Sequence, residues 1–195
     1  MDQNLYDDAV ALLKQLITIE SFSRQEDRTA DAIQAFFSKR KINTHRKLNN
    51  VWVFNKHYNS QLPTILLNSH HDTVKPNTGY TNNPFEPKEE SGKLYGLGSN
   101  DAGGCLVSLI VTFINFYENE NLKYNLVFAA TAEEEISGTN GLELIIPELG
   151  PLDFAIVGEP TQMHLAIAEK GLLVLDCIAY GRSGHAARNE GENAI

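Results

Sequence analysis

Cysteine is almost absent from this chain, with only Cys105 and Cys177 in 195 residues. Neither belongs to a CxxC pair, so no thiolate zinc site or dithiol redox motif is on offer. Both lie in apolar segments, which predicts buried, reduced thiols rather than a disulfide. Positive charge is also scarce: 16 Lys and Arg stand against 25 Asp and Glu, for a net charge of −9. There is no Lys/Arg run and no interleaving of aromatic with basic residues, which excludes nucleic acid as a main partner. No apolar run approaches the ~20 residues of a membrane-spanning helix, so no membrane partner is expected. The opening MDQNLYDD is acidic where a secretory signal needs a positive region and an apolar stretch, so a cytoplasmic protein is expected. Internal repeats and low-complexity segments are lacking.

What is present is enough apolar material, 42% of the residues, for one full core. Leu5, Val10, Leu12, Leu13, Leu16 and Ile17 recur at helical spacing over 4–19. Ser23 followed by Glu26 reads as a capping box for a second helix over about 24–40, with Ala30, Ile33, Phe36 and Phe37 on its apolar side. VWVFNK (51–56) and TILLNS (64–69) read as strands. The stretch 73–100 is a long Pro-, Asn- and Gly-containing loop of the kind that carries function. LVSLIVTFINFY (106–117) is apolar almost all round and predicts a helix buried on most sides. YNLVFAATA (124–132) and DFAIVGE (153–159) read as buried strands, with a short helix over 141–149 between them. Strands alternating with helices predict an α/β fold, a three-layer α/β/α domain around a largely parallel sheet. From His164 the pattern changes to two alternating strands in succession, HLAIAEK (164–170) and GLLVLDCIAYG (171–181). The expected division is therefore 1–167 for the main domain and 168–195 for the start of a smaller α+β unit.

Four polar clusters share one address, the C-terminal ends of predicted strands or the loops that follow, where open α/β sheets bind ligands. The first is His70-His71-Asp72. In extended backbone His70 and Asp72 face one side and His71 the other. An Asp beside a metal-bound His can accept its second ring N–H and fix the tautomer. The triplet also reads as solvated loop residues. The second is Asp101 in GLGSNDAGG, a carboxylate that opens an apolar helix, for which taken alone an N-cap is the ordinary reading. The third is Glu133-Glu134-Glu135, directly after an apolar strand. Their mutual repulsion is costly without a cation, although an acidic solvated loop is the alternative. The fourth is Glu159 between Gly158 and Pro160, a ligand or an ordinary loop carboxylate. Together one His and at least three carboxylates make an oxygen-rich, nitrogen-containing set suited to Zn²⁺ or a similar divalent ion.

The ordered motifs H-x-D-x-V, G-x-G-x-x-D followed by Gly, T-x-E-E-E and G-E-P resemble the signature of the two-zinc deacylase and exopeptidase family. That family includes acetylornithine deacetylase, succinyl-diaminopimelate desuccinylase, aminoacylases and carboxypeptidases. The resemblance runs from SFSRQE to the end of the chain, and NPFEPKEESGKLYGLGSNDAGG is most similar to the acetylornithine deacetylases. It implies two divalent metal ions, Zn²⁺ or alternatively Co²⁺. His70 and Glu159 would ligate the first ion, Asp101 would bridge the two and Glu135 would ligate the second. Asp72 would orient His70, Glu134 would be the general base, and His185 would steady the oxyanion from the partner subunit of a homodimer. The implied reaction is hydrolysis of an N-acyl amino acid, N-acetylornithine first, in arginine biosynthesis. A desuccinylase, dipeptidase or carboxypeptidase is the alternative within the class, and a non-catalytic binding module the alternative outside it.

Two departures fall outside the ligands: Gly103-Gly104 where the family often has Lys-Gly, and Ser69 where many members have Gly. A larger one is length. The family's second ion takes a His from a C-terminal segment, so the chain is expected to be a truncated part with little activity alone.

Overall fold

The computed structural model describes residues 3–168, 170, 171, 173, 175, 177–185, 188, 191 and 192. The chain divides into two compact units, Met1–Gln162 and Met163–Ile195.

In the first unit the elements run α1 (Gln3–Ile17), α2 (Asp27–Ser38), β1 (His45–Lys47), β2 (Asn50–Phe54) and β3 (Thr64–His70). There follow β4 (Lys88–Glu90), β5 (Lys93–Tyr95), α3 (Cys105–Phe116), β6 (Asn125–Thr131), α4 (Leu142–Leu149) and β7 (Phe154–Val157). Five strands form one sheet in the order β1-β2-β6-β3-β7. β3 lies parallel to both β6 and β7, while β2 is antiparallel to β6 and β1 to β2. The sheet thus has a parallel centre and an antiparallel flank.

Both faces of that centre are covered, which explains why β6 reads as an unbroken apolar run rather than an alternating one. Leu126, Phe128 and Ala130 join a core with Leu12 and Leu16 of α1, Ile33 and Phe37 of α2, and Ile110 and Phe113 of α3. Val127 and Ala129 turn to the opposite face and pack with Ile145 and Leu149 of α4. The result is three layers. Phe37, Phe113 and Phe128 form a mutually contacting trio with centroids 5.7–6.2 Å apart. Burial of each ring contributes about 2 kcal/mol.

α3 is buried on most sides, as expected; Ser108, Thr112 and Asn115 form its exposed stripe, where Ser108 and Thr112 return their hydroxyls to carbonyls one turn back. Several other expectations change. β7 is not a buried strand. Among the described residues it has a neighbouring strand, β3, on one side only, and Phe154, Ile156 and Val157 are 60%, 45% and 56% exposed. The two cysteines are free but not buried. Cys105 is half-buried because it opens α3 at the sheet edge instead of lying in the core, and Cys177 is exposed in the second unit. The long loop contains the hairpin β4–β5, whose strands of three residues are too short to show a period. The capping box is not made either, since α2 has no side-chain cap. Ser23 and Glu26 are bonded elsewhere.

The described residues of the second unit show one isolated bridge, Arg182 with Glu192. The two strands expected after residue 163 run through 169, 172, 174 and 176, which lie outside the described residues. Among the described residues, no helix is long and apolar enough to cross a membrane.

Candidate metal centre

The site begins where β3 ends. His70 is its last residue, paired in register with Thr131 at the end of β6, so two neighbouring parallel strands release their chains at the same edge. The segment that follows is tied down at once. His71 N–H donates to the Thr131 carbonyl and Thr73 N–H to that of Ser21.

His70 and Asp72 turn to one side. His70 is buried, and its Nδ1 lies 2.9 Å from the Asp72 carbonyl and 3.3 Å from the Asp72 carboxylate. Both partners accept only, so Nδ1 carries the hydrogen and Nε2 is the atom presented to the site. Three carboxylates converge on it. Asp101 Oδ1 lies 3.1 Å away, and Glu134 Oε2 and Glu159 Oε2 each lie 3.9 Å away. Burial opposes a charge on His70. The bonded Asp72, the charge of Glu159 and the hydrogen bond of Asp101 overcome it and raise the pKa to about 9.

Asp72 is fully buried, and burial alone would favour its neutral form. It is nevertheless held below the usual carboxylate range by His70, by the Ser23 hydroxyl at 2.7 Å and by the Glu135 N–H. The two oxygens take successive backbone donors, Glu134 N–H on Oδ1 and Glu135 N–H on Oδ2, each at 3.1 Å. Asp72 therefore orients the imidazole on one side and the Glu134–Glu135 backbone on the other.

Asp101 comes from the irregular turn Ser99–Gly104, where its extended backbone (φ −113°, ψ 100°) interrupts the approach to α3. It is not a helix cap. Glu159 follows β7, where Gly158 N–H donates to the Asn68 carbonyl of β3. Burial raises the pKa of Glu159, and the charges of Glu134, Asp101 and Glu135 add to it against the opposing pull of His70. Glu135 is raised by burial and then chiefly by Asp101. Such repulsion is what a cation relieves.

His70, Asp101 and Glu159 offer donor atoms that all lie within 4.8 Å of one another. A divalent ion bound at about 2.0–2.2 Å from each ligand fits that spacing. Glu134 and Glu135 stand beside this group, and His185 lies in the second unit.

His71 turns the other way, into the protein. Its Nε2–H donates to the Asn49 carbonyl at 2.9 Å, and its Nδ1 meets the Thr29 hydroxyl at 2.8 Å. Burial lowers its pKa to about 4, so it stays neutral. Sequence reasoning missed Ser23, Glu26, Asn49 and Glu133 as supports of the site. The spacing of Ser23 and Glu26 was the available signal, but it also matches a helix cap.

The sequence model of peptidase family M20/M25/M40 matches residues 66–172, over half of the chain, including His70, Asp72, Asp101, Glu134, Glu135 and Glu159 but not Ser23, Glu26, Asn49 or His185. The chain belongs to this family. Among curated relatives it is 38% identical over 133 residues to acetylornithine deacetylase of Proteus mirabilis, covering 67% of this chain and 34% of that protein. It is 28% identical over 201 residues to succinyl-diaminopimelate desuccinylase of Buchnera aphidicola, covering 94% of this chain and 52% of that protein. The chain thus spans about a third to a half of the length of these M20 relatives. Among solved structures, a Bacillus subtilis protein described as a dinuclear metal binding peptidase of the M20 family superposes with a TM-score of 0.60 at 18% identity, over 80% of this chain and 43% of that one. That similarity speaks for the fold alone.

Proposed function

We propose that the protein carrying this chain is a metal-dependent amidohydrolase that removes the acyl group from an N-acyl amino acid. The carrying observation is the convergence of Asp101, Glu134 and Glu159 on His70 Nε2 at the edge of a parallel sheet. His70, Asp101 and Glu159 would hold a first divalent ion, and Asp101 and Glu135 would contribute to a second, with Zn²⁺ the expected metal. Bound there, the ions supply Lewis acidity and lower the pKa of water. Glu134 accepts a proton from the attacking water and returns it to the leaving amine, while Asp72 keeps His70 in the required tautomer. His185, from the partner subunit of a cytoplasmic homodimer, donates to the developing oxyanion. Residues 1–167 act as part of the catalytic domain and 168–195 as the start of the dimerisation domain.

The deacetylase and desuccinylase relatives make N-acetylornithine the first substrate to test and N-succinyl-diaminopimelate the second. In the complete protein that the gene encodes, turnover of one of them should vanish with chelator and return with Zn²⁺ or Co²⁺. Glu134→Gln should lower kcat by at least about 100-fold, with metal still bound. Retained turnover in Glu134→Gln sinks the assignment of the base. A complete protein that binds no metal and hydrolyses no N-acyl amino acid favours a binding module.

A further inference from the structure

Glu26 is a fully buried carboxylate that plays no part in the metal group. It does not cap α2. Its Oε1 accepts the N–H of Arg24 at 2.7 Å and that of Glu133 at 3.2 Å, and its Oε2 accepts the Asn49 side-chain amide at 2.8 Å. Asn49 is held in turn by His71 through its carbonyl.

Glu133 is where this network touches the site. It has left-handed backbone (φ 55°, ψ 23°) and immediately precedes the tight turn Glu134–Ile136. Ser137, just after the turn, is also left-handed (φ 49°, ψ 43°). For residues with a side chain such conformations cost about 1–3 kcal/mol each and persist where surrounding contacts over-determine them. The contacts here are specific. Glu26 takes the N–H of Glu133, and Asp72 takes those of Glu134 and Glu135, so three successive donors end on two buried carboxylates. The Glu133 side chain is fixed by the Asn140 amide at 2.9 Å, and its carbonyl by Gly138 N–H at 2.8 Å.

We propose that Glu26 is a positioning residue for Glu134: by holding the N–H of Glu133 it fixes the entry to the turn that aims the Glu134 carboxylate at the site. This rests on Glu134 being the general base. What Glu26 supplies is an acceptor at Oε1. A glutamine retains that acceptor and places an amide toward Asn49, whose own amide can turn to accept it. A leucine of similar size supplies none.

The test uses the complete protein, with kcat and KM measured on whichever of N-acetylornithine and N-succinyl-diaminopimelate it hydrolyses, beside amide hydrogen exchange of 132–138 in the metal-free protein. Glu26→Gln should keep kcat within about three-fold. Glu26→Leu should lower kcat about ten- to a hundred-fold with KM little changed, the scale expected when a catalytic group is misplaced. Exchange at 133–135 should quicken in the Leu variant alone. Wild-type kcat in a folded Glu26→Leu protein, equal losses in both variants, or a change confined to KM overturns the proposal. If Glu26→Leu does not fold, Asn49→Ala decides. It frees Oε2 of Glu26 and should lower kcat about three- to ten-fold with faster exchange, and wild-type values for both overturn the proposal. Activity surviving in Glu134→Gln refutes the base assignment instead, and the exchange measurements still report on the clamp.

Discussion

The Ser23 hydroxyl donates to Asp72 Oδ2 at 2.7 Å across 49 residues of sequence. This bond joins the turn after α1 to the segment after β3, and the Phe22–Thr73 bridge runs beside it. One oxygen of Asp72 thus holds both a loop from the N-terminal helices and the N–H of Glu135.

Ser23→Ala should cost about 1–2 kcal/mol, since the bond goes to a buried charged acceptor that keeps its other partners. Urea unfolding of the complete metal-free protein measures this, and an unchanged midpoint would show that the hydroxyl contributes nothing.

His71 provides a pH prediction. Its folded pKa, about 4, lies below the ordinary 6.5 because burial penalises the charged form. Between those values the unfolded chain binds the extra proton, so stability rises with pH across the window. The contribution is present above about pH 6.5 and is lost as pH falls toward 4. From pH 7 to pH 5 the loss from this residue should be about 2 kcal/mol. Unfolding free energies of the wild type and His71→Gln at the two pH values check it, with the variant showing the shallower dependence.

Gly141 stands where β6 hands over to α4. A Cβ there would lie 2.4 Å from the Ala132 carbonyl, a backbone atom that cannot turn aside. Gly141→Ala should destabilise by about 1–3 kcal/mol and lower the Tm by at least about 3 °C. An unchanged melting curve would show that the strand end gives way freely.

The parts of the fold that repeat were legible. Helical spacing located α1 and α2, and unbroken apolar runs located β3 and β6, because both depend on periodic burial over many residues. Three of the four polar clusters were legible for another reason: His70–Asp72, Glu133–Glu135 and Glu159 follow apolar strands, and parallel strands deliver their C-terminal ends to one edge, whereas Asp101 enters from the turn before α3. Period-two geometry also separates His70 and Asp72 from His71. Isolated pairings were not legible. Ser23 and Glu26 match a capping box residue for residue, and only the three-dimensional path sends their oxygens to Asp72 and Glu133. β1, β4 and β5 are three residues each, too short for a period. The exposure of β7 could not be read from FAIV, because the same apolar run serves a central or an edge strand.

β7 has a further consequence. Along its free side the backbone donors and acceptors have no neighbouring strand among the described residues, and Phe154, Ile156 and Val157 stand beside them. An exposed apolar edge of this kind is a template for strand addition between molecules. The charged residues at its ends, Asp153 and Glu159, act as gatekeepers, but Asp153 already accepts the Thr64 N–H and Glu159 faces His70. A polypeptide of these 195 residues kept alone in concentrated solution would therefore lose monomer first by edge-to-edge aggregation.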